Sequence, residues 1–405
     1  MLQLLYMHNI LQMMPRIMHK FLQDFSIPAV FAGFITFLVG ISVSSVLVIQ
    51  AAQDLGANQA QITSWFWALG IGIGLCGLIL SWKFKYPVAT SWSTAGLALI
   101  IASASGYSLY EAIGAFFVCG LLTAILGFMG VFTKILQHIP QSLTSAMLAG
   151  VLLKFGIAIF ASMQTHWGFI LSLLAAYILS KRIWPRYSIV VTVIAGILLV
   201  PFFMEFQLGQ IQLSPAIPVY MAPDFSWAAI FGIALPLFVI NMASQYLPGL
   251  AMIKSYGYEP NVKHLIGWTG TAHALLSPFG CFSVNIAAIS AAISLDDQAH
   301  PDPSKRYIAG MSCGLFYIFM GIFAATLTSL LFSFPTLFIT ALAGIALFGT
   351  IGHNIALAFH HIDEREAALL TFLFSASGVQ FFGIGSAFWG LLFGFVVYHI
   401  LKLKK

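Results

Sequence analysis

Two short runs hold the residues best suited to gripping a small polar guest. Pro87-Val-Ala-Thr-Ser-Trp-Ser-Thr94 precedes a stretch of small and aliphatic residues from Ala95 to Ala102. Pro278-Phe-Gly-Cys-Phe-Ser-Val-Asn285 precedes another, from Ile286 to Leu295. In each, proline or glycine beside aromatic and β-branched residues favours extended chain. Thr94 and Asn285, each seven residues after its proline, are good N-caps for a short helix. A helix of about ten residues spans roughly 15 Å, half a bilayer core. Its N-terminus has unpaired N–H groups and about +0.5 charge. Two such ends meeting head to head would hold one anion without a side-chain cation. Ser91, Ser93, Thr94, Ser283 and Asn285 would add hydroxyl or amide contacts. Trp92 and Phe282 are expected to lie against an aromatic ring of the guest. Capping and packing alone would also account for these residue types.

The elements around these runs belong to a membrane. With 60% hydrophobic and 7% charged residues, the chain reads as an all-α polytopic membrane protein. Apolar segments fall near 25–50, 59–81, 87–102, 109–131, 141–161, 166–180 and 187–204. A second set falls near 226–253, 262–277, 278–295, 306–330, 335–357, 366–381 and 384–401. Seven and seven make fourteen spans. Spans 3 and 10 are the interrupted ones, each a short strand plus a half-helix. An odd number per half makes the repeat inverted. The halves are 25–204 and 226–405, joined by an external loop over 205–225 and preceded by a cytoplasmic segment over 1–24 that lacks a small-residue cleavage site.

The charges agree with both termini in the cytoplasm. Sixteen of the 17 Lys and Arg residues then fall on inner segments and none on outer loops. That is a strong positive-inside asymmetry, so the net charge of +5 reflects membrane topology and not nucleic-acid binding. The seventeenth, Lys154, lies within a span, where an ionisable residue is a functional candidate. Gln50, Asn241, Ser244 and Gln245 are polar residues of spans 1 and 8 that would line a cavity or join helices. His273 and His353, within or near spans, are candidate proton relays. A second internal likeness pairs Pro140-Gln-Ser-Leu-Thr-Ser-Ala-Met-Leu-Ala-Gly150 with Pro335-Thr-Leu-Phe-Ile-Thr-Ala-Leu-Ala-Gly344. The glycine runs Gly70-Ile-Gly72-Ile-Gly74 and Gly383-Ile-Gly385 suit a sliding or a static interface.

Other chemistries find no support. Cys76, Cys119, Cys281 and Cys313 form neither a disulfide framework nor a metal-ligand spacing. No Gly-x-x-x-x-Gly-Lys-Ser/Thr loop is present, and no Ser/His/Asp set stands out. The expectation is therefore no enzyme, no cofactor and no metal.

Several stretches resemble the benzoate/proton symporter (BenE-type) family. They are Ile49-Gln-Ala-Ala-Gln53, Ser64-Trp-Phe-Trp-Ala-Leu-Gly70, Ser91-Trp-Ser-Thr94, Ile139-Pro-Gln-Ser-Leu143, Met147-Leu-Ala-Gly-Val-Leu-Leu153 and Met242-Ala-Ser-Gln245. The resemblance covers about residues 25–400 and implies uptake of a small aromatic carboxylate with protons across the bacterial inner membrane. It also implies a fold shared with nucleobase and sulfate carriers, in which spans 1–4 and 8–11 form a core and spans 5–7 and 12–14 a gate. Lys154, on span 5, would belong to that gate and face the core. A homodimer is compatible with this fold. Nucleobase carriers have acidic residues in spans 8 and 10. This chain departs from them, because all 12 Asp and Glu residues sit at or beyond segment ends. Another organic-anion or nucleobase-type carrier, or an anion channel on the same scaffold, remains the rival reading.

Overall fold

The structure, a computed structural model, describes residues 23–131, 140–185, 188–204, 213–287, 290–382 and 384–402. Most of the expected N-terminal segment, Ile139, Gly383 and part of the connecting loop lie outside these residues.

The chain starts as α1 (Ile27–Asp54), α2 (Gln59–Phe84), β1 (Thr90–Ser91), α3 (Thr94–Ser103) and α4 (Leu109–Met129). Local caps set these starts. Ser26 Oγ accepts the Ala29 N–H, and Asn58–Gln61 and Ser108–Glu111 form reciprocal capping boxes. Next come α5 (Gln141–Ile183) and α6 (Ser188–Phe203). The 43 residues of α5 would reach about 65 Å if straight, twice a bilayer core. Its backbone leaves helical values at His166 (φ −135°, ψ 45°), which divides it into two limbs.

The second part opens with α7 (Trp227–Ser255), then α8 (Val262–Leu276), β2 (Asn285–Ile286) and α9 (Ala291–Leu295). It continues with α10 (Tyr307–Ile322), α11 (Ala324–Phe332), α12 (Thr336–Ala358), α13 (Arg365–Ser377) and α14 (Ser386–Lys402). Pro140 and Pro335 stand at the N-caps of α5 and α12 with nearly the same backbone, φ −58° and ψ 131° against φ −59° and ψ 142°. Among the described residues, six helices are long and apolar enough to cross a membrane: α1, α2, α4, α5, α7 and Leu337–Ala358 of α12. The pair α10 and α11, bent by 69°, makes up to seven. Shorter apolar helices, α3, α6 and α14, fill the gaps.

Backbone-to-backbone glycine contacts hold the centre. Along α2, a Cβ on Gly70 would stand 2.6 Å from Gly321 Cα, and one on Gly74 2.6 Å from Gly314 O, both on α10. Along α4, a Cβ on Gly127 would stand 2.6 Å from Gly267 N, and one on Gly120 2.5 Å from Ala274 N, both on α8. Gly70 and Gly74 therefore pack within the expected core and do not face its gate. The main apolar core runs through α1–α4, α7–α10 and β2, and takes in Met147, Leu148, Val151 and Leu152 of α5 and Leu347 of α12. A separate cluster of Ile159, Phe169, Leu173, Val200, Phe338 and Ile345 joins α5, α6 and α12.

One charged residue anchors the interrupted second segment. Arg306 is 7% exposed; its Nη1 donates to Leu295 O at the C-terminus of α9 and its Nε to His300 O, both at 2.7 Å. A cation there suits the helix dipole. Arg306→Met leaves two carbonyls unpaired and should lower stability by about 2 kcal/mol, read as a lower Tm of the detergent-solubilised protein. An unchanged Tm would show that water replaces the guanidinium.

Candidate functional site

The two interrupted segments meet. Thr90 pairs with Ile286 and Ser91 with Asn285 in an antiparallel bridge, and the Ala287 N–H donates to Ala89 O at 2.8 Å. The Ser93 N–H donates to Ser283 Oγ at 2.9 Å, so the segments are also tied beyond the strands. Ser93 Oγ accepts the Gly96 N–H at 2.9 Å and caps α3. The cap is thus Ser93, with Thr94 the first helical residue, one position from expectation. The Leu97 N–H donates to Ser93 O. The Thr94 and Ala95 N–H groups precede that first intrahelical bond, so the helix itself supplies them no acceptor.

The second half-helix departs further from expectation. Asn285 is not an N-cap: it is strand, and α9 begins at Ala291 with Ser290 in the cap position. Residues 288 and 289 lie outside the described chain. Pairing with Ser91 keeps Asn285 extended, and the β-branched Ile286 suits a strand as well as a helix.

Helix α7 brings the remaining amides. It is not uniform: Ile230–Ala234 and Met242–Tyr246 are π-helical turns. Each ends two residues before a proline, Pro236 or Pro248, which removes a donor from the helical ladder. Such π-turns concentrate at functional sites. Ser244 and Gln245, half-buried, sit on the second turn. Ser244 Oγ donates to Ile240 O at 2.7 Å. This turn packs on β2 and is fixed there by Tyr246, whose Oη donates to Val284 O at 2.9 Å and pairs with Thr269 Oγ1 at 2.7 Å. Sequence reasoning missed Tyr246. Its signal was the proline two residues on, which marks the turn but not the partner.

Buried polar atoms usually have partners. Here Asn285 Nδ2, Asn241 Oδ1, Gln50 Oε1 and His273 Nε2 have no hydrogen-bond partner among the described residues. All four belong to residues singled out from sequence. Asn285, Asn241 and His273 are each 1% exposed. Trp65 Nε1, Ser142 Oγ and Ser375 Oγ share this condition among the described residues, and leaving such a group unmet costs about 1–3 kcal/mol. Asn241 ends the regular turn just before the π-turn that packs on β2. Gln50 is on α1, which packs against α3.

Four expected residues are placed elsewhere. Trp92 is 1% exposed: its Nε1 donates to Ser44 Oγ and its ring meets Phe66 and Tyr317 edge-on. Phe282 is 0% exposed and packs with Trp65 and Phe116. Both rings are enclosed by neighbouring side chains. Lys154 is exposed, with its Nζ against Gly378 at the C-terminal end of α13. It thus sits where a helix terminus attracts a cation. His353 is exposed on α12.

Tyr246→Phe removes the donor to Val284 and loosens β2 against α7. It should raise the KM for substrate roughly tenfold at nearly unchanged protein level, measured by uptake into proteoliposomes. An unchanged KM would leave Tyr246 a packing residue only.

Residues 23–400 match the family described as benzoate membrane transport protein. The chain belongs to that family. It is similar to the inner membrane protein YdcO of Escherichia coli, 42% identical over 93% of this chain and 96% of that protein. It is also similar to the benzoate membrane transport protein of Acinetobacter baylyi, 36% identical over 95% of this chain and 97% of that one. The fold resembles the transmembrane domain of the cyanobacterial bicarbonate transporter BicA, with a TM-score of 0.59 at 14% identity over 93% of this chain and 97% of that chain. It resembles SLC26A9 at a TM-score of 0.64 and 13% identity, over 94% of this chain and 66% of that chain. Membership in this family makes the protein a multi-pass membrane carrier and not an enzyme.

Proposed function

We propose that the protein is a secondary transporter importing benzoate, or a similar aromatic carboxylate, with protons across the bacterial inner membrane. The observation that carries this reading is a buried amide atom without a partner among the described residues on each of two packed elements, Asn285 Nδ2 on β2, bridged to Ser91 before α3, and Asn241 Oδ1 at the start of the turn that packs on β2. Amides and backbone N–H groups can hold a carboxyl group without the repulsion that a buried Asp or Glu would bring. The site would comprise Asn241, Ser244, Gln245, Asn285, Ser91, Thr94 and, from α1, Gln50.

Fourteen spans in two inverted sevens fit the elements. Under that two-fold, α2 on α10 exchanges with α4 on α8, and both pairs are joined by glycine. The matching Pro140 and Pro335 caps support the same relation. A second apolar cluster joins α5, α6 and α12, while Met147, Leu148, Val151 and Leu152 of α5 pack on the main core, an arrangement that suits a gate resting on the core. The asymmetry of Lys and Arg favours cytoplasmic termini.

Uptake of labelled benzoate into proteoliposomes tests the proposal. It should saturate, accelerate with acid outside, stop with a protonophore and ignore excess uracil. Conductance without saturation would make the protein a channel, and absence of benzoate uptake would reject the substrate.

A further inference from the structure

We propose that the coupling proton rides on the cargo: the site takes the neutral carboxylic acid, with Asn285 donating to its carbonyl oxygen and Asn241 accepting its O–H. This rests on the reading of Asn241 and Asn285 as substrate ligands. The unpartnered atoms are of two kinds. Asn285 Nδ2 is a donor, while Asn241 Oδ1 is an acceptor. An ionised carboxylate has acceptors only and would set oxygen against oxygen at Asn241. A neutral acid has one donor and one acceptor, the complement of this pair.

The surroundings point the same way. No Asp, Glu, Lys, Arg or His occurs in residues 227–246, 281–287 or 90–106, the segments that carry Asn241, Asn285 and the start of α3. The positive end of α3 is partly committed, since the Ser93 and Gly96 N–H groups already donate to Ser283 Oγ and Ser93 Oγ. No second helix begins at Asn285, because α9 starts at Ala291. A buried carboxylate without a full counter-charge takes up a proton in preference to staying charged.

The neighbouring titratable groups are few. From α8, which packs on β2, comes His273; from the π-turn comes Tyr246, already bonded to Val284 O and Thr269 Oγ1. Tyr317 of α10 meets Ser91 and the edge of Trp92, and Cys281, Cys119 and Cys76 are buried thiols. Glu111 is at the far end of α4 in its capping box with Ser108, and Lys154 is exposed beside Gly378. The step balances simply. Outside, a proton adds to a carboxylate oxygen; inside, that O–H bond breaks and returns one carboxylate and one proton. No net charge crosses.

Displacement of bound benzoate from the purified full-length protein between pH 5 and pH 8 tests this. Benzamide, a neutral mimic of the acid, should displace benzoate at every pH. Benzenesulfonate, a permanent anion of similar shape, should not. Benzoate affinity should fall about tenfold for each pH unit, and the same slope is expected in His273→Gln. Displacement by benzenesulfonate with benzamide silent would overturn the inference and leave the benzoate reading intact. So would loss of the slope in His273→Gln, which would put the proton on the imidazole. Failure of benzoate itself to bind at any pH would overturn both.

Discussion

Asn285→Leu and Asn241→Leu should each weaken benzoate binding roughly 10- to 100-fold while raising the Tm of the empty protein. The two effects have one cause. Both side chains are 1% exposed, and each has a polar atom without a partner among the described residues. In the empty protein that atom is a liability, and leucine of similar volume removes it. With cargo bound, the same atom completes a hydrogen bond, and leucine leaves the carboxyl group facing a methyl. A site that hydrogen-bonds its substrate discriminates strongly when one side of the bond is lost. Calorimetric titration gives the affinity and thermal melting with and without benzoate gives the stability. A fall in both would mean that the amides serve the fold. Unchanged affinity would place the cargo elsewhere.

Much of this arrangement is legible in the sequence because it is local. Pro87 and the run to Thr94 announce an extended segment followed by a half-helix, and β1 and α3 follow within one residue of that reading. Pro140 and Pro335 announce two helix starts. What escapes is decided by distant partners. Asn285 reads as a cap over a ten-residue window, yet its bridge to Ser91 joins residues nearly two hundred positions apart. Trp92 and Phe282 alternate along extended chain, and only tertiary packing selects which face meets Phe66, Tyr317, Trp65 and Phe116. A lysine in an apolar run looks the same whether it faces a cleft or a helix end, so Lys154 could not be placed against Gly378 in advance. The Met242–Tyr246 π-turn was half visible, since Pro248 signals a disturbance there but not a widened turn.

Gly127→Leu should abolish accumulation of folded protein, whereas Gly349→Ala should leave it unchanged or slightly higher. Helices in lipid gain no hydrophobic drive from meeting each other, so close packing of small residues decides their association. At Gly127 the α8 backbone is the neighbour: a Cβ would lie 2.6 Å from Gly267 N and 2.9 Å from Gly267 Cα. Backbone cannot swing aside as a side chain can, so α4 and α8 must separate along their length. Overpacking of this kind costs roughly 3 kcal/mol or more, a large share of a marginal stability. The damage would reach the cargo site, because α8 packs on β2 and its Thr269 pairs with Tyr246. Gly349, on α12, has nothing within 4 Å of a new Cβ, and alanine suits a helix better than glycine by up to about 1 kcal/mol. Fluorescence-detected size exclusion of both variants makes the comparison. A monodisperse Gly127→Leu protein at wild-type yield would show that α4 and α8 can part without loss of the fold, and that the glycine contacts are a sliding surface after all.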